Sequence, residues 1–297
     1  MIGGVNLWDP THVSFTVDLL TAFLLGIVHG VTPDEHTWPI TFSYAVGGYS
    51  TARGLRAGLL FSLAFAIQAA FASELAFFGF TQWFTIAAFD NIVYVAVGIV
   101  MAAAGLFAMG RGVLPHLHLP GLRRSEEQTP AQPRELKWWM PAVHGFIAGW
   151  GIDAFSAIIY TTLAPAMPSA ATGWMPGFVF GCGTLCVQAA AGAAFGAWAM
   201  RRGLPNEAIR TIALTTAART LTWGGLAFAV FGVFGLAFPG AADIALKTPL
   251  RVHNLDTLGL PLLLLMVVVL GVGVTSFVSA TQACRRRLLT EPAAMKP

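Results

Sequence analysis

Apolar stretches of about 20 residues recur along the whole chain, and this feature limits the folds available to it. Such a stretch crosses the hydrocarbon core of a bilayer, about 30 Å thick, as a helix. The 297 residues are 56% hydrophobic and only 10% charged, with a mean hydropathy of +0.69. Soluble domains carry about 25% charged residues. The composition therefore predicts an integral membrane protein made of helices, since the strands of a membrane barrel would alternate apolar and polar residues.

Seven crossings are expected, and the basic residues between them indicate their orientation. The expected crossings lie at about 14–36, 54–80, 88–109, 139–166, 173–200, 207–236 and 257–283. Residues 37–52 are either the end of a broken helix or a short interfacial one. Lys and Arg gather beside alternate connections, as they do in cytoplasmic loops. We therefore expect a multi-pass protein of the bacterial cytoplasmic (inner) membrane, with the N-terminus outside and the C-terminus in the cytoplasm.

A polar stretch between the third and fourth crossings divides the chain into two halves. Its sequence, "HLHLPGLRRSEEQTPAQPRELK", is rich in Pro, Glu, Gln and Arg and predicts a flexible cytoplasmic linker. The predicted organisation is an N-terminal three-helix repeat at 1–110, the linker at 111–138, a C-terminal three-helix repeat at 139–236, and an extra crossing with a basic tail at 237–297.

The two halves share a pattern of small and acidic residues. The pattern G-x-x-x-G-x-x-x-D occurs at Gly26, Gly30 and Asp34 and again, 119 residues later, at Gly145, Gly149 and Asp153. The same offset relates Gly58 and Phe61 to Gly177 and Phe180. Coincidence among Gly- and Ala-rich helices is the alternative, but duplication explains a shared offset better. The predicted topology makes the repeats inverted, which is a common plan in transporters.

The first expected crossing contains polar residues that are costly in a membrane. In "LLGIVHGVTPDEHTWPI", residues 24–40, two imidazoles and two carboxylates fall within eight positions: His29, Asp34, Glu35 and His36. A charged side chain near the bilayer centre costs about 2.5–3.5 kcal/mol even on the lenient insertion scale. These side chains should face the bundle interior, a water-filled cavity or a cation. Imidazole with carboxylate suits Ni²⁺, Co²⁺, Zn²⁺ or Fe²⁺ better than Mg²⁺ or Ca²⁺.

We expect this helix to break at Gly30–Pro33, because proline cannot donate its i→i−4 hydrogen bond and glycine permits conformations that other residues avoid. On a straight helix, His29 and His36 would lie about 10 Å apart, too far for one metal ion with bonds of about 2.1 Å. An unwound segment would let His29, Asp34 and His36 gather around one cation. The alternative is that both histidines form hydrogen bonds in the core and Asp34 caps a new helix.

Two motifs resemble those of a known family. "HGVTPDEH" is similar to the HX₄DH signature of the nickel/cobalt transporter superfamily, which includes UreH- and HupE-like membrane proteins, although Glu35 is inserted before His36. "GWGIDAFSA", which carries Asp153, resembles a second family element of the form GFDTATE. The resemblance implies metal binding and transport, with His29, Asp34 and His36 as ligands.

The chain also departs from the family pattern. "SLAFA" is similar to the family's SLGHS element but has Phe65 in place of the histidine, and "GCGTLCVQAA" has Cys186 in place of an aspartate. Cys182 and Cys186 lie one helical turn apart on one face and are candidate soft ligands, which favour Zn²⁺, Cu⁺ or Cd²⁺. The alternative is that both cysteines are small buried hydrophobes packed in a Gly- and Ala-rich helix.

Three further polar residues lie within the expected crossings. Asp153 is either part of the ion path or the partner in a structural hydrogen bond. Arg219 lies several turns into the sixth crossing, where it needs a partner such as Asp153 or Glu35, or serves an anion site. His144 is expected at the cytoplasmic interface.

The expected function is transport of a divalent transition-metal ion, Ni²⁺ or Co²⁺, across the membrane. We expect no enzymatic activity, no required cofactor and no nucleic-acid partner. The metal ion and membrane lipid are the expected partners. One alternative is an anion exporter similar to sulfite or sulfonate exporters, which would use Arg219. Another is a relative of the DsbD and CcdA thiol relays, but Asp34 stands where their first cysteine would be. The last alternative is a membrane enzyme with a His/Asp metal site.

Overall fold

Helices make up nearly all of the described chain, as its composition predicts. The computed structural model describes residues 14–32, 37–85, 87–110, 134–200, 206–241, 245–247, 257–259 and 267–290. The first-half helices are α1 Phe15–Val31, α2 Trp38–Gly47, α3 Thr51–Phe77 and α4 Ala87–Ala108, with a 3₁₀ turn at Phe80–Thr85. Serine side chains cap two of them: Ser14 accepts from Val17 N, and Ser50 accepts from Arg53 N.

The second half follows a similar order of helices. It contains α5 Met140–Ala148, α6 Ala154–Ile158 with its π-helical continuation Ile159–Leu163, α7 Ala170–Gly173, α8 Met175–Met200 and α9 Asn206–Ala237. A 3₁₀ turn at Pro239–Ala241 follows. The last described helix is α10 Thr275–Thr290, which continues a π-helix at Val267–Val274.

Four stretches of the described helices are long and apolar enough to cross a membrane: Thr51–Phe77, Ala88–Ala108, Ala170–Trp198 and Glu207–Ala237. The shorter apolar helix Phe15–Val31 accompanies them. Large apolar side chains lie exposed on the outer faces of these helices, including Phe71, Ile99 and Val230. A surface of this kind suits lipid rather than water, in agreement with the prediction of a membrane protein.

The predicted interruption of the first crossing is confirmed, with its start shifted by two residues. α1 ends at Val31, and Thr32 has an extended backbone with ψ of 131°. Gly30 remains helical. It allows α1 to approach α8, since a Cβ on Gly30 would lie 2.8 Å from Val187 Cβ. α2 then runs through the interior of the protein, with Pro39–Gly47 all buried.

The fourth crossing was predicted as one helix over 139–166, and this is wrong. α5 ends at Ala148 and α6 begins at Ala154. Between them, Asp153 has an extended backbone and forms a reciprocal capping box with Ser156. Such a box satisfies the first N–H groups of a new helix. Together with Gly149 and Gly151 it favours a restart over continuation of α5. Each half of the protein therefore contains an interrupted helix.

The expected seventh crossing also begins differently. Residues 257–259 form a strand instead of the predicted start of a helix. This strand, β2 Thr257–Gly259, pairs antiparallel with β1 Ala245–Lys247, with Leu246 opposite Leu258. The small ladder is the exception to the helical class in the described chain.

Close packing of glycines against backbone sets the arrangement of the long helices. α3 lies antiparallel to α8, while α1 runs parallel to α8 and α5 runs parallel to α3. A Cβ would overlap a carbonyl oxygen of the facing helix at many glycines, and four of these contacts are related to one another: Gly26 on Phe180, Gly145 on Phe61, Gly58 on Gln188 and Gly177 on Ala69. The four contacts form two pairs, and the members of each pair are related by the 119-residue offset. Helices in membranes use small residues to approach this closely.

We expect Gly26→Ala and Gly145→Ala each to lower the stability of the protein by about 1 kcal/mol or more. The overlap of the new methyl group with a carbonyl should outweigh the better helix propensity of alanine, about 1 kcal/mol. Thermal unfolding in detergent micelles measures the effect. Gly240→Ala is the matched control, because nothing lies within 4 Å of a Cβ there. Melting temperatures of the two helix variants equal to that of the control would contradict this account of the packing.

Candidate functional site

A buried contact between the two halves joins their interrupted helices. His29 lies in the last turn of α1 and is 5% exposed, and Asp153 lies immediately before α6. The Nδ1 atom of His29 is 2.8 Å from Oδ2 of Asp153. An ionised carboxylate only accepts, so Nδ1–H of His29 is the donor. The hydrogen bond links residues that are 124 positions apart in the sequence.

The capping box orients the carboxylate of Asp153. Its Oδ1 accepts from both the backbone N–H and the hydroxyl of Ser156, each at 2.7 Å. The neighbouring N–H of Ile152 donates to Asp90 Oδ1 on α4 at 2.9 Å. Oδ1 of Asp153 therefore caps the start of α6, and Oδ2 accepts the hydrogen bond from His29. The extended segment before α6 is anchored on both sides.

Aromatic rings surround the imidazole of His29. Phe65 stacks on it, with ring centroids 5.6 Å apart and planes at 15°. Phe180 and Phe155 lie at centroid distances of 5.2 Å and 6.2 Å. Phe65 thus packs against the site. An apolar surrounding of this kind excludes water and strengthens the hydrogen bond from His29 to Asp153.

A buried amide that the sequence analysis missed lies beside the second interruption. Gln68 on α3 is 0% exposed, and apart from the nearby hydroxyl of Tyr160 its Oε1 and Nε2 have no hydrogen-bond partner among the described residues. Its Oε1 fills the space where Gly149 has no side chain, and the hydroxyl of Tyr160 lies near both Gln68 and Asp153. A buried polar group without a partner costs about 1–3 kcal/mol. The sequence does contain a signal for this residue, because a glutamine within an otherwise apolar span indicates a polar site in the interior.

The predicted ligands are only partly brought together. Asp34, Glu35 and His36 lie outside the described residues. Among those that are described, no group of three or more His, Cys, Asp or Glu side chains could hold a metal ion. The described part of the chain contributes the pair His29 and Asp153 to a candidate site.

None of the described hydrogen bonds or ion pairs joins a cysteine to this pair. Cys182 is half-buried and Cys186 is exposed on α8. The inner face of α8 instead presents Thr184, whose hydroxyl donates to the carbonyl of Gly26 at 3.1 Å. The described contacts of His29 and Asp153 therefore include neither thiol.

The structure describes the contacts of two other polar residues. Arg219 is exposed, and its guanidinium donates to Ser279 Oγ on α10 at 3.1 Å, whereas the proposed partner Asp153 is paired with His29. His144 is 1% exposed, so its side chain lies in the interior of the protein. Its Nδ1 lies 2.8 Å from the hydroxyl of Tyr44, because α2 turns into the interior and brings that ring against α5.

No family model, no curated protein and no solved structure matches the chain. The resemblance to nickel/cobalt transporters therefore stays a prediction made from two short motifs. A function has to be inferred from the arrangement around His29 and Asp153.

Replacing Gln68 by methionine should stabilise the protein by about 1 kcal/mol, because the change removes a buried amide whose described partner is at most the hydroxyl of Tyr160. Gln188→Met is the matched control on the facing helix. Gln188 is equally buried, but its Nε2 donates to Thr37 Oγ1 at 3.3 Å, so its loss should destabilise by a similar amount. Thermal unfolding in detergent distinguishes the two. Equal losses of stability in both variants would show that Gln68 is satisfied.

Proposed function

We propose that this protein transports divalent transition-metal ions across a membrane, with Ni²⁺ or Co²⁺ as cargo. The observation that carries the proposal is the 2.8 Å contact between His29 and Asp153. It places an imidazole and a carboxylate in the interior, at the ends of two interrupted helices. Ionisable residues inside membrane segments are costly and mark ion pathways in many transporters. Broken helices that meet near the midplane are a common form of transporter site.

In this proposal, Asp153 orients His29 as a metal ligand. A carboxylate that accepts from one imidazole nitrogen fixes the tautomer and presents the other nitrogen to a metal ion. Nδ1 of His29 donates to Asp153, so Nε2 is the nitrogen assigned to the ion. Asp34, Glu35 and His36 follow directly in the sequence after α1 has ended, and we assign the remaining ligands to them.

The donor set supports the choice of metal. Nitrogen from imidazole together with carboxylate oxygen favours borderline ions such as Ni²⁺ and Co²⁺ over Mg²⁺ and Ca²⁺. Soft ions such as Cu⁺ and Cd²⁺ prefer thiolates. The exposed position of Cys186, away from the buried imidazole of His29, favours the borderline ions.

We also propose that residues 1–110 and 139–236 are inverted repeats. The reciprocal glycine contacts at the 119-residue offset support this, as does an interrupted helix in each half. α1 and α5 run in opposite directions, because they lie parallel to the antiparallel helices α8 and α3. Seven crossings would then comprise the four long spans, the two interrupted helices and the segment that ends in α10. Movement of one repeat against the other would give alternating access to the site.

The proposed location is the bacterial cytoplasmic membrane, with the N-terminus outside. This orientation rests on the basic residues, which include Arg53 and Arg56 in the first two turns of α3 and Arg285 to Arg287 near the C-terminus. A cysteine-labelling experiment on intact cells, with single cysteines placed near each end, would test it independently of transport.

Uptake of Co²⁺ and Ni²⁺ into proteoliposomes tests the proposed function. We expect Asp153→Asn to raise the half-saturating concentration about 10- to 100-fold, the usual cost of losing a carboxylate that orients a ligand. Asparagine still caps a helix, so α6 should be retained. His29→Gln should abolish uptake. The matched control is Glu207→Gln, which makes the same change of acid to amide at a carboxylate whose side chain is 74% exposed.

Uptake that is unchanged in both Asp153→Asn and His29→Gln would contradict a metal site at this contact. Sulfite transport that is lost in Arg219→Gln would instead support the anion exporter. Circular dichroism of each variant confirms that a loss of uptake is not a loss of fold.

A further inference from the structure

A separate cavity lies at the beginning of α3. It has a volume of about 210 Å³ and is enclosed by the end of α2, the first turns of α3 and the segment that leads into α5. Three basic side chains line it, Arg53, Arg56 and Lys137, together with a single acid, Glu135. Neither His29 nor Asp153 lines this cavity. It is therefore distinct from the proposed metal site.

The single acid of the cavity is already engaged. Glu135 accepts a hydrogen bond from the hydroxyl of Tyr49 at 2.7 Å and one from Arg210 Nε at 3.4 Å, and Arg53 lies 3.9 Å away. The Tyr49 hydrogen bond, with Arg210 and Arg53 nearby, holds the pKa of this carboxyl below its usual range. Glu135 is therefore ionised at neutral pH, and its charge is shared between two arginines.

Two cations of the cavity lack a carboxylate partner among the described residues. Arg56 lies over the ring of Trp138 at 5.6 Å, and Lys137 lies over Phe107 at 5.8 Å. No carboxylate of the described chain is within 4.0 Å of either charge. Arg53 and Arg56 also lie in the first two turns of α3, at the positive end of its dipole. An anion bound in the cavity would therefore partly neutralise the positive charges of Arg56 and Lys137.

The surroundings of the cavity indicate the interface of a bilayer. Trp138 and its neighbour Trp139 are 64% and 46% exposed, and tryptophan is typical of the headgroup level. From this level an apolar stripe continues along the outer face of α3, with one residue in each turn exposed. The stripe consists of Leu55, Leu59, Leu63, Ile67 and Phe71. The basic cavity thus opens beside a surface that suits an acyl chain.

We infer that this cavity binds the phosphate headgroup of an anionic phospholipid, whose acyl chain lies along the apolar stripe of α3. Arg56 and Lys137 contact the phosphate oxygens, and Trp138 packs against the glycerol region. Basic pockets between membrane helices bind anionic headgroups in this way. A soluble phosphate compound would use the same cations but would gain nothing from the stripe. The inference does not depend on the transport proposal, because none of the metal-site residues takes part.

Thermal unfolding of the full chain in detergent, titrated with phosphatidylglycerol, tests the inference. A ligand that binds only the folded state raises the melting temperature by an amount that grows with the logarithm of the ligand concentration above its Kd. Phosphatidylcholine with identical acyl chains tests the charge, and glycerol phosphate tests the headgroup without chains. We expect only phosphatidylglycerol to raise the melting temperature substantially. For the double variant Arg56→Gln/Lys137→Gln, we expect about 30-fold weaker binding from the loss of two cations.

The matched control is Arg285→Gln/Arg286→Gln, which removes two exposed cations from α10 that do not line the cavity. It should respond to phosphatidylglycerol like the native chain. An equal response to both phospholipids, or an unchanged response in the cavity variant, would overturn the inference. A full response to glycerol phosphate would overturn the lipid assignment in favour of a soluble anion. If the double variant does not fold, Lys137→Gln alone provides the comparison, with about fivefold weaker binding expected.

Discussion

Wherever a helix stops inside a membrane protein, the backbone groups released there must find partners within the protein, because lipid offers none. Two apolar helices of the described chain stop in this way, and the protein satisfies their ends with side chains. The hydroxyl of Thr32 donates to the carbonyl of Val28 at the end of α1. Asp153 and Ser156 cap the start of α6, and Asp90 accepts from the backbone beside them. These contacts make the interruptions stable parts of the fold.

The same requirement concentrates polar groups at one place. His29 lies at the end of α1 in the first half of the chain, and Asp153 lies at the start of α6 in the second half. The long helices approach closely through glycines such as Gly26 and Gly145, which brings the two interruptions into contact across the interior. Aromatic rings, Phe65 among them, then close the surroundings of the pair. The close packing of helices through glycines therefore also forms the polar site.

Much of this arrangement was predictable from local chemistry. Pro33 blocks a helical hydrogen bond, so the end of α1 follows from the residue itself. The second interruption was not predicted, because "GWGIDAFS" contains no proline and reads as an apolar helix. A capping box at Asp153 competes with continuation of the helix, and the contact with His29 adds to the interrupted form. The interior position of His144 also depends on where α2 turns.

The sequence by itself determined the helical membrane class, the break after α1 and the related pattern in the two halves, because each depends on residue types and spacings within a short stretch. Only the tertiary structure decided that Asp153 pairs with His29, that Arg219 on α9 is exposed and donates to Ser279 on α10, and that Gln68 is buried at the second interruption. These outcomes depend on contacts between residues far apart in the chain. Their energies are set by helix packing in three dimensions and cannot be read from local propensity.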